Sequence, residues 1–255
     1  MNRLKIISTR VIVSVLVLLG SQTATAQSNK AEKDKFNLAG FPFILYQPET
    51  SLILGGGAAA TFRQADQERP DNINLYAIYS LKQQTVLHLQ PDFYFDQGKT
   101  ELNVVFYYQN YPAVFFGVGN KARADDAENY TTEDVMVQPW LLRQVHKDLH
   151  LGVMADYNNT AVVKTESGGM LENGTLLGAD GSRIAGLGAV VAWDSRDNIF
   201  YPTAGSWLKF YCTFYDGRFG SELDFTNYTL DFRHYLKLNE SHVLAMQIYS
   251  RVLTG

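Results

Sequence analysis

The feature that most constrains this chain is strict two-residue alternation over long segments. Leu208, Phe210, Cys212 and Phe214 alternate with Lys209, Tyr211, Thr213 and Tyr215. Tyr228, Leu230 and Phe232 alternate with Asn227, Thr229, Asp231 and Arg233. Leu244, Met246 and Ile248 alternate with Ala245, Gln247, Tyr249 and Arg251. The same pattern sets Leu87, Leu89, Phe93 and Phe95 against His88, Gln90, Asp92 and Tyr94. It also sets Leu102, Val104, Phe106 and Tyr108 against Glu101, Asn103, Tyr107 and Gln109. Successive side chains of a strand point to opposite faces, so each segment has one oily and one polar face.

Eleven strands are expected, over 41–47, 50–63, 72–82, 85–96, 100–110, 131–145, 149–164, 183–193, 205–216, 225–237 and 242–254. In a soluble sandwich the oily face is the core; in a membrane barrel it meets lipid and the polar face lines the lumen. Alternation alone does not separate the two. Three features favour the barrel. The segments are longer than the usual five or six residues. Aromatic residues, with 15 Tyr and 15 Phe, gather near strand ends as interfacial girdles do. The N-terminus reads as an export signal.

That signal has a positive start (Arg3, Lys5, Arg10), an apolar stretch from Val11 to Leu19 and an Ala24-Thr25-Ala26 cleavage site. The apolar stretch is about half the ~20 residues of a spanning helix. The expected organisation is a signal peptide over 1–26, a short periplasmic leader over 27–40 and a partial outer-membrane barrel over 41–255. Loss of the signal takes the net charge from -4 to -7, which argues against nucleic acid as a partner. One Cys gives no disulfide framework.

The connections sort into two ends. Segments 48–50, 83–84, 111–130, 165–182 and 217–223 share one end; 64–71, 97–99, 146–148, 194–204 and 238–241 share the other. The two longest fall at the first end, which is therefore read as the cell exterior.

The sharpest motif is Asp194-Ser195-Arg196-Asp197-Asn198-Ile199-Phe200-Tyr201-Pro202-Thr203-Ala204-Gly205-Ser206. Physically it is a polar turn between two strands. Pro202 fixes φ, Gly205 permits a left-handed backbone, and Arg196 between two carboxylates can brace the turn. A second set, Asp231, Arg233, Gln247, Tyr249 and Arg251, falls on the polar faces of the last two strands as a lumenal group. His146 and His150 flank a turn and lack a third metal ligand. His88 and His234 have no serine elbow beside them. No catalytic, cofactor or metal site is read, and no small-molecule substrate.

The motif, with its Asp-x-Arg-Asp-Asn, Pro-Thr and Gly-Ser, resembles the signature of the bacterial surface antigen superfamily of outer-membrane assembly and translocation barrels. Tyr46-Gln47-Pro48-Glu49-Thr50 with Gly55-Gly56-Gly57 is similar to the start of such barrels, and Phe115-Phe116-Gly117-Val118-Gly119-Asn120 to a loop segment in them. The resemblance implies an all-β antiparallel barrel of about sixteen strands, of which about eleven are present. It further implies a member without POTRA domains whose wall stops at Gly255, short of the sixth loop with its arginine-glycine-aromatic motif. Its expected partners are outer-membrane lipid and unfolded outer-membrane or secreted polypeptides. A passive solute pore or a structural surface barrel is the alternative.

Overall fold

The computed structural model describes residues 36–47, 50–62, 70–119, 122, 127–174, 176, 178–198, 201–240 and 242–255. The expected signal peptide, the leader up to residue 35, Pro48-Glu49, Asn120 and Ile199-Phe200 lie outside them.

The strands are β1 Phe36–Gln47, β2 Ser51–Phe62, β3 Asp71–Ser80, β4 Thr85–Phe95, β5 Thr100–Phe115, β6 Glu128–His146, β7 Leu149–Lys164, β8 Gly181–Asp194, β9 Gly205–Tyr215, β10 Phe225–Asn239 and β11 His242–Thr254. They form one eleven-stranded sheet in sequence order, every neighbouring pair antiparallel. The sheet is not closed. β1 and β11 are its edges, which is the incomplete barrel wall that the sequence implies.

Register fixes the faces, because directly paired residues share one. The row Asp92–Asn103–Trp140–Met154–Gly188–Thr213–Asn227 crosses seven strands on a single face. Asp231, Arg233 and Lys209 lie on that face too. Here the side chains crowd together: Val190, Thr213, Asn227 and Thr229 are all at most 2% exposed. The buried cluster Trp140, Leu142, Met154 and Val190, with Tyr211 against it, also belongs to this side. The opposite face is bare. Ile248, Val153 and Phe214 are more than half exposed, and no second layer covers Leu230, Phe232 or Ile248 among the described residues. The polar face is therefore the enclosed one and the oily face the uncovered one.

The uncovered face also shows the height of the oily band. On β6 it reads Leu141, Pro139, Val137 and Val135, bounded by Arg143 below and Glu133 above. Arg143 pairs with Asp96 in the β4–β5 turn. Glu133 accepts from the Tyr108 hydroxyl at 3.0 Å, and Asn159 and Arg183 continue this polar boundary across β7 and β8. About ten residues at ~3.3 Å each, at the tilt usual for such barrels, span roughly 25 Å, the height of a bilayer's apolar band.

Three differences from the sequence reading have physical causes. β1 opens at Phe36, so residues 36–40 are strand rather than leader. β5 runs on to Phe115 and β6 begins at Glu128, so the expected 111–130 connection is much shorter. The β5 and β6 extensions lie past Glu133, beyond the oily band of β6, where alternation fades. The rule of one oily and one charged face also fails at β1 and β2. Phe41, Phe43, Leu45 and Ile53 share the enclosed face, while Phe36, Leu38, Ile44 and Tyr46 point the other way.

Candidate functional site

The motif turn joins β8 to β9 and is held by its own side chains. Asp197 accepts from the amides of Thr203 at 2.9 Å and Ala204 at 3.1 Å and from the Thr203 hydroxyl at 2.5 Å. The Thr203 hydroxyl first, then these amides, bring its carboxyl down to about 2. Asn198 accepts from the Tyr201 amide at 2.9 Å. Pro202, beside them, has no amide hydrogen in need of a partner. Ser195 and Ser206 close the neck: the Ser195 amide donates to the Ser206 carbonyl at 2.9 Å and the Ser206 amide to the Ser195 hydroxyl at 3.1 Å. Gly205 has φ +96°, and a Cβ there would stand 2.2 Å from the Ser195 carbonyl oxygen. Only glycine fits.

Arg196 turns away from this loop. Its Nε and Nη2 each donate to Asp194 at 2.8 Å, a two-pronged grip with both side chains less than one-fifth exposed. The reading that set Arg196 between two carboxylates divides accordingly: Asp194 takes the guanidinium and Asp197 takes the turn's backbone.

The second predicted set gathers on the enclosed face. Arg233 donates to Asp231 at 2.7 and 3.3 Å, and the Gln247 amide donates to the same carboxylate at 2.9 Å. Arg251 lies one row away and donates to Asn227 at 3.0 Å. Tyr249 pairs opposite Asp231 but stands 59% exposed, outside the hydrogen-bonded group.

Trp207 joins the two sets, and alternation alone did not single it out. The Arg233 guanidinium lies 4.8 Å from its ring centre and that of Arg196 5.9 Å. The family turn is thus tied to the lumenal charges through one indole, an arrangement that favours arginine. Farther in, Lys209 Nζ sits 3.6 Å over the Trp140 ring, with Glu101, Asp92 and Asp231 around it. Asp134 is a further hub, accepting from Gln109, Thr132 and Thr160. Trp207 and Lys209 share the parity of the predicted lumenal residues, the signal that could have found them, and Asp134 lies on the same face through the pairing of β6 with β5.

The histidines are dispersed. His88 stacks on Tyr76 at 4.7 Å, and His234 meets the Ser206 hydroxyl at 2.8 Å on the uncovered face. His150 faces the enclosed side opposite Gln144, and His146 ends β6 opposite Leu149. Among the described residues no group of three or more His, Cys, Asp or Glu could hold a metal. The arrangement can line a polar path and brace a wall.

Known proteins place this architecture. The fold is similar to "The crystal structure of BamA from Haemophilus ducreyi lacking POTRA domains 1-3", with a TM-score of 0.52 and 17% identity. The match covers 87% of this chain but 42% of that one, so the chain spans less than half its length. No curated protein sequence matches. The profile of the Omp85 superfamily domain matches residues 69–255, which include the Asp194–Gly205 turn and the whole lumenal set. The chain therefore belongs to the Omp85 superfamily of outer-membrane barrels.

Proposed function

We propose that this barrel assists the insertion or passage of polypeptide at the outer membrane. The observation that carries the reading is the seam at β1. Its partner β2 runs Gly55-Gly56-Gly57-Ala58-Ala59-Ala60, six residues with nothing beyond Cβ. Cross-strand side-chain pairs supply much of a sheet's cohesion, and glycine weakens a strand. Rings from β1 lie over the bare stretch: a Cβ on Gly55 would stand 2.4 Å from Phe43, with Ile78 of β3 at 2.9 Å, and one on Gly57 2.8 Å from Phe41. Among the described residues no strand pairs with the other side of β1. An edge offers unpaired amides and carbonyls that an extended segment can join by β-augmentation.

In this reading the mechanism is physical. A client segment adds to the β1 edge, its apolar residues meet lipid, and the weak β1–β2 pairing lets the seam adjust. The long-loop end faces the exterior and the Asp194–Gly205 turn the periplasm. Cysteines at Leu38 and Ala60, which pair across β1 and β2, would lock the seam by a disulfide. The locked protein is expected to lower the levels of other outer-membrane proteins, and reductant to restore them. Normal levels both in the locked strain and after deletion of the gene would remove the role.

A second reading, a pore for polar solutes, draws on the continuous lumenal polar wall from Asp92 through Lys209 to Arg233. Steady conductance in planar bilayers with no effect on outer-membrane protein levels would favour it.

A further inference from the structure

At the long-loop end, a carboxylate on the enclosed face of β6 holds a segment of the β7–β8 connection. Glu128 opens β6 opposite Phe115 and is 8% exposed. It accepts from the amides of Met170 at 2.6 Å and Leu171 at 3.2 Å. Gly169 passes so close that a Cβ there would stand 2.2 Å from Glu128 Oε2. Leu171 is itself only 8% exposed. The Met170 methyl would lie 3.2 Å from a Cβ on Gly117, so the segment also packs against the β5–β6 loop.

The ends of the segment are tied separately. Glu166 accepts from the backbone amide of Asn129 at 2.8 Å and from its side chain at 3.1 Å, and these amides hold its carboxyl below the ordinary range. The Val162 amide donates to the Asp180 carbonyl at 3.1 Å. Within the segment, the Gly168 amide donates to Glu172 at 2.5 Å. It is a folded strap tied at Glu166 and clasped at Met170 and Leu171.

The direction of the clasp gives it meaning. Glu128 points toward the enclosed side, so the Met170–Leu171 stretch it grips lies at the inner rim, while Glu166 is held by Asn129 at the outer one. Burying a carboxylate is costly unless charge-assisted bonds offset it. Here two loop amides supply those bonds, and an unheld strap would forfeit them. We propose that residues 165–174 form a lid over the long-loop mouth of the lumen, latched by Glu128. The lid acts whether the lumen passes polypeptide or solute, so it stands apart from the proposed function.

The test places a cysteine at Leu171 in a Cys212→Ser background, since Cys212 is the one native thiol. Labelling by a thiol-reactive polyethylene glycol is read on purified full-length protein in micelles. Leu171→Cys is expected to label slowly, and Glu128→Ala to accelerate it about tenfold as the clasp opens. Ala179→Cys, 4% exposed but not held by Glu128, should keep its slow rate. The same Glu128→Ala change, without added cysteines, should raise conductance in planar bilayers about twofold. Unchanged labelling overturns the latch. Faster labelling with unchanged conductance overturns the lid. If Glu128→Ala does not give folded barrel, Glu128→Gln, which keeps an acceptor of the same shape, carries both measurements.

Discussion

Tyr215 on β9 reaches past Gly186 on β8 to donate a hydrogen bond to Asp156 on β7 at 2.5 Å. Gly186 makes room for it, since a Cβ there would stand 2.9 Å from the Tyr215 ring. Asp156 is 9% exposed, and its other oxygen has no partner among the described residues. Tyr215 is therefore the principal support of a buried carboxylate. Tyr215→Phe should destabilise the barrel by about 1–3 kcal/mol, read as a lower urea midpoint with an unchanged slope. Adding Asp156→Asn to that variant should recover part of the loss. A Tyr215→Phe protein as stable as the parent would contradict this account.

The neck of the motif turn gives a second prediction. Gly205→Ala meets both the unfavourable φ of +96° and the Ser195 carbonyl. It should cost about 3 kcal/mol or more, or prevent folding. Gly98→Ala is the control: its φ is +86° but no described residue lies within 4 Å of the new methyl. Strain alone should cost it about 1–2 kcal/mol. Equal losses at the two positions would show that the close approach at Gly205 is not rigid.

Acid should loosen the same turn. The Asp197 carboxyl is depressed to about 2 in the folded protein, against ~3.9 in an unfolded chain. The unfolded chain binds the proton first as pH falls, so this contribution is complete above about pH 4 and fades toward pH 2. Asp216, also depressed to about 2 by Arg218, acts in the same window. Asp197→Asn should flatten, without abolishing, the pH dependence of stability between 4 and 2. Parallel curves for the two proteins would show that Asp197 does not brace the fold.

Sidedness gives a fourth prediction. Val137 and Met136 are neighbours on β6 with opposite facings. Val137→Arg places a charge in the middle of the oily band and should cost about 2–4 kcal/mol. Met136→Arg points to the enclosed polar side beside Asn158 and should cost less. The ratio of refolding yields into lipid vesicles reads the difference. Equal yields would leave the facing of β6 unsupported.

The alternation of β11 was enough to locate that strand to the residue, because it has one dry and one wet side along its length. Where the chain leaves the band, as at 111–115 and 128–130, no such contrast exists and the strands read as loop. β1 misled differently: with apolar residues on both faces, it displays no polar partner set. The turn's residues stood out because its bonds are local, Asp197 to Thr203 and Ala204. The Trp207 link to Arg233 and the Trp140 link to Lys209 were hidden because they cross strands, and only the pairing register brings such residues together. The grip of Glu128 on Met170 was hidden for the same reason, Glu128 opening β6 and Met170 lying on the β7–β8 connection.

The native thiol offers the most direct test of which face meets hydrocarbon. Cys212 lies on the uncovered face of β9, next to buried Thr213. Tyr249 lies on the enclosed face of β11. A nitroxide on Cys212, and another on Tyr249→Cys in a Cys212→Ser background, would be examined in vesicles by collision with oxygen and with a water-soluble nickel chelate. The label at 212 should meet oxygen readily and the chelate hardly at all, and the label at 249 should show the reverse. Ready access of the chelate to 212 and of oxygen to 249 would put water where this account puts lipid.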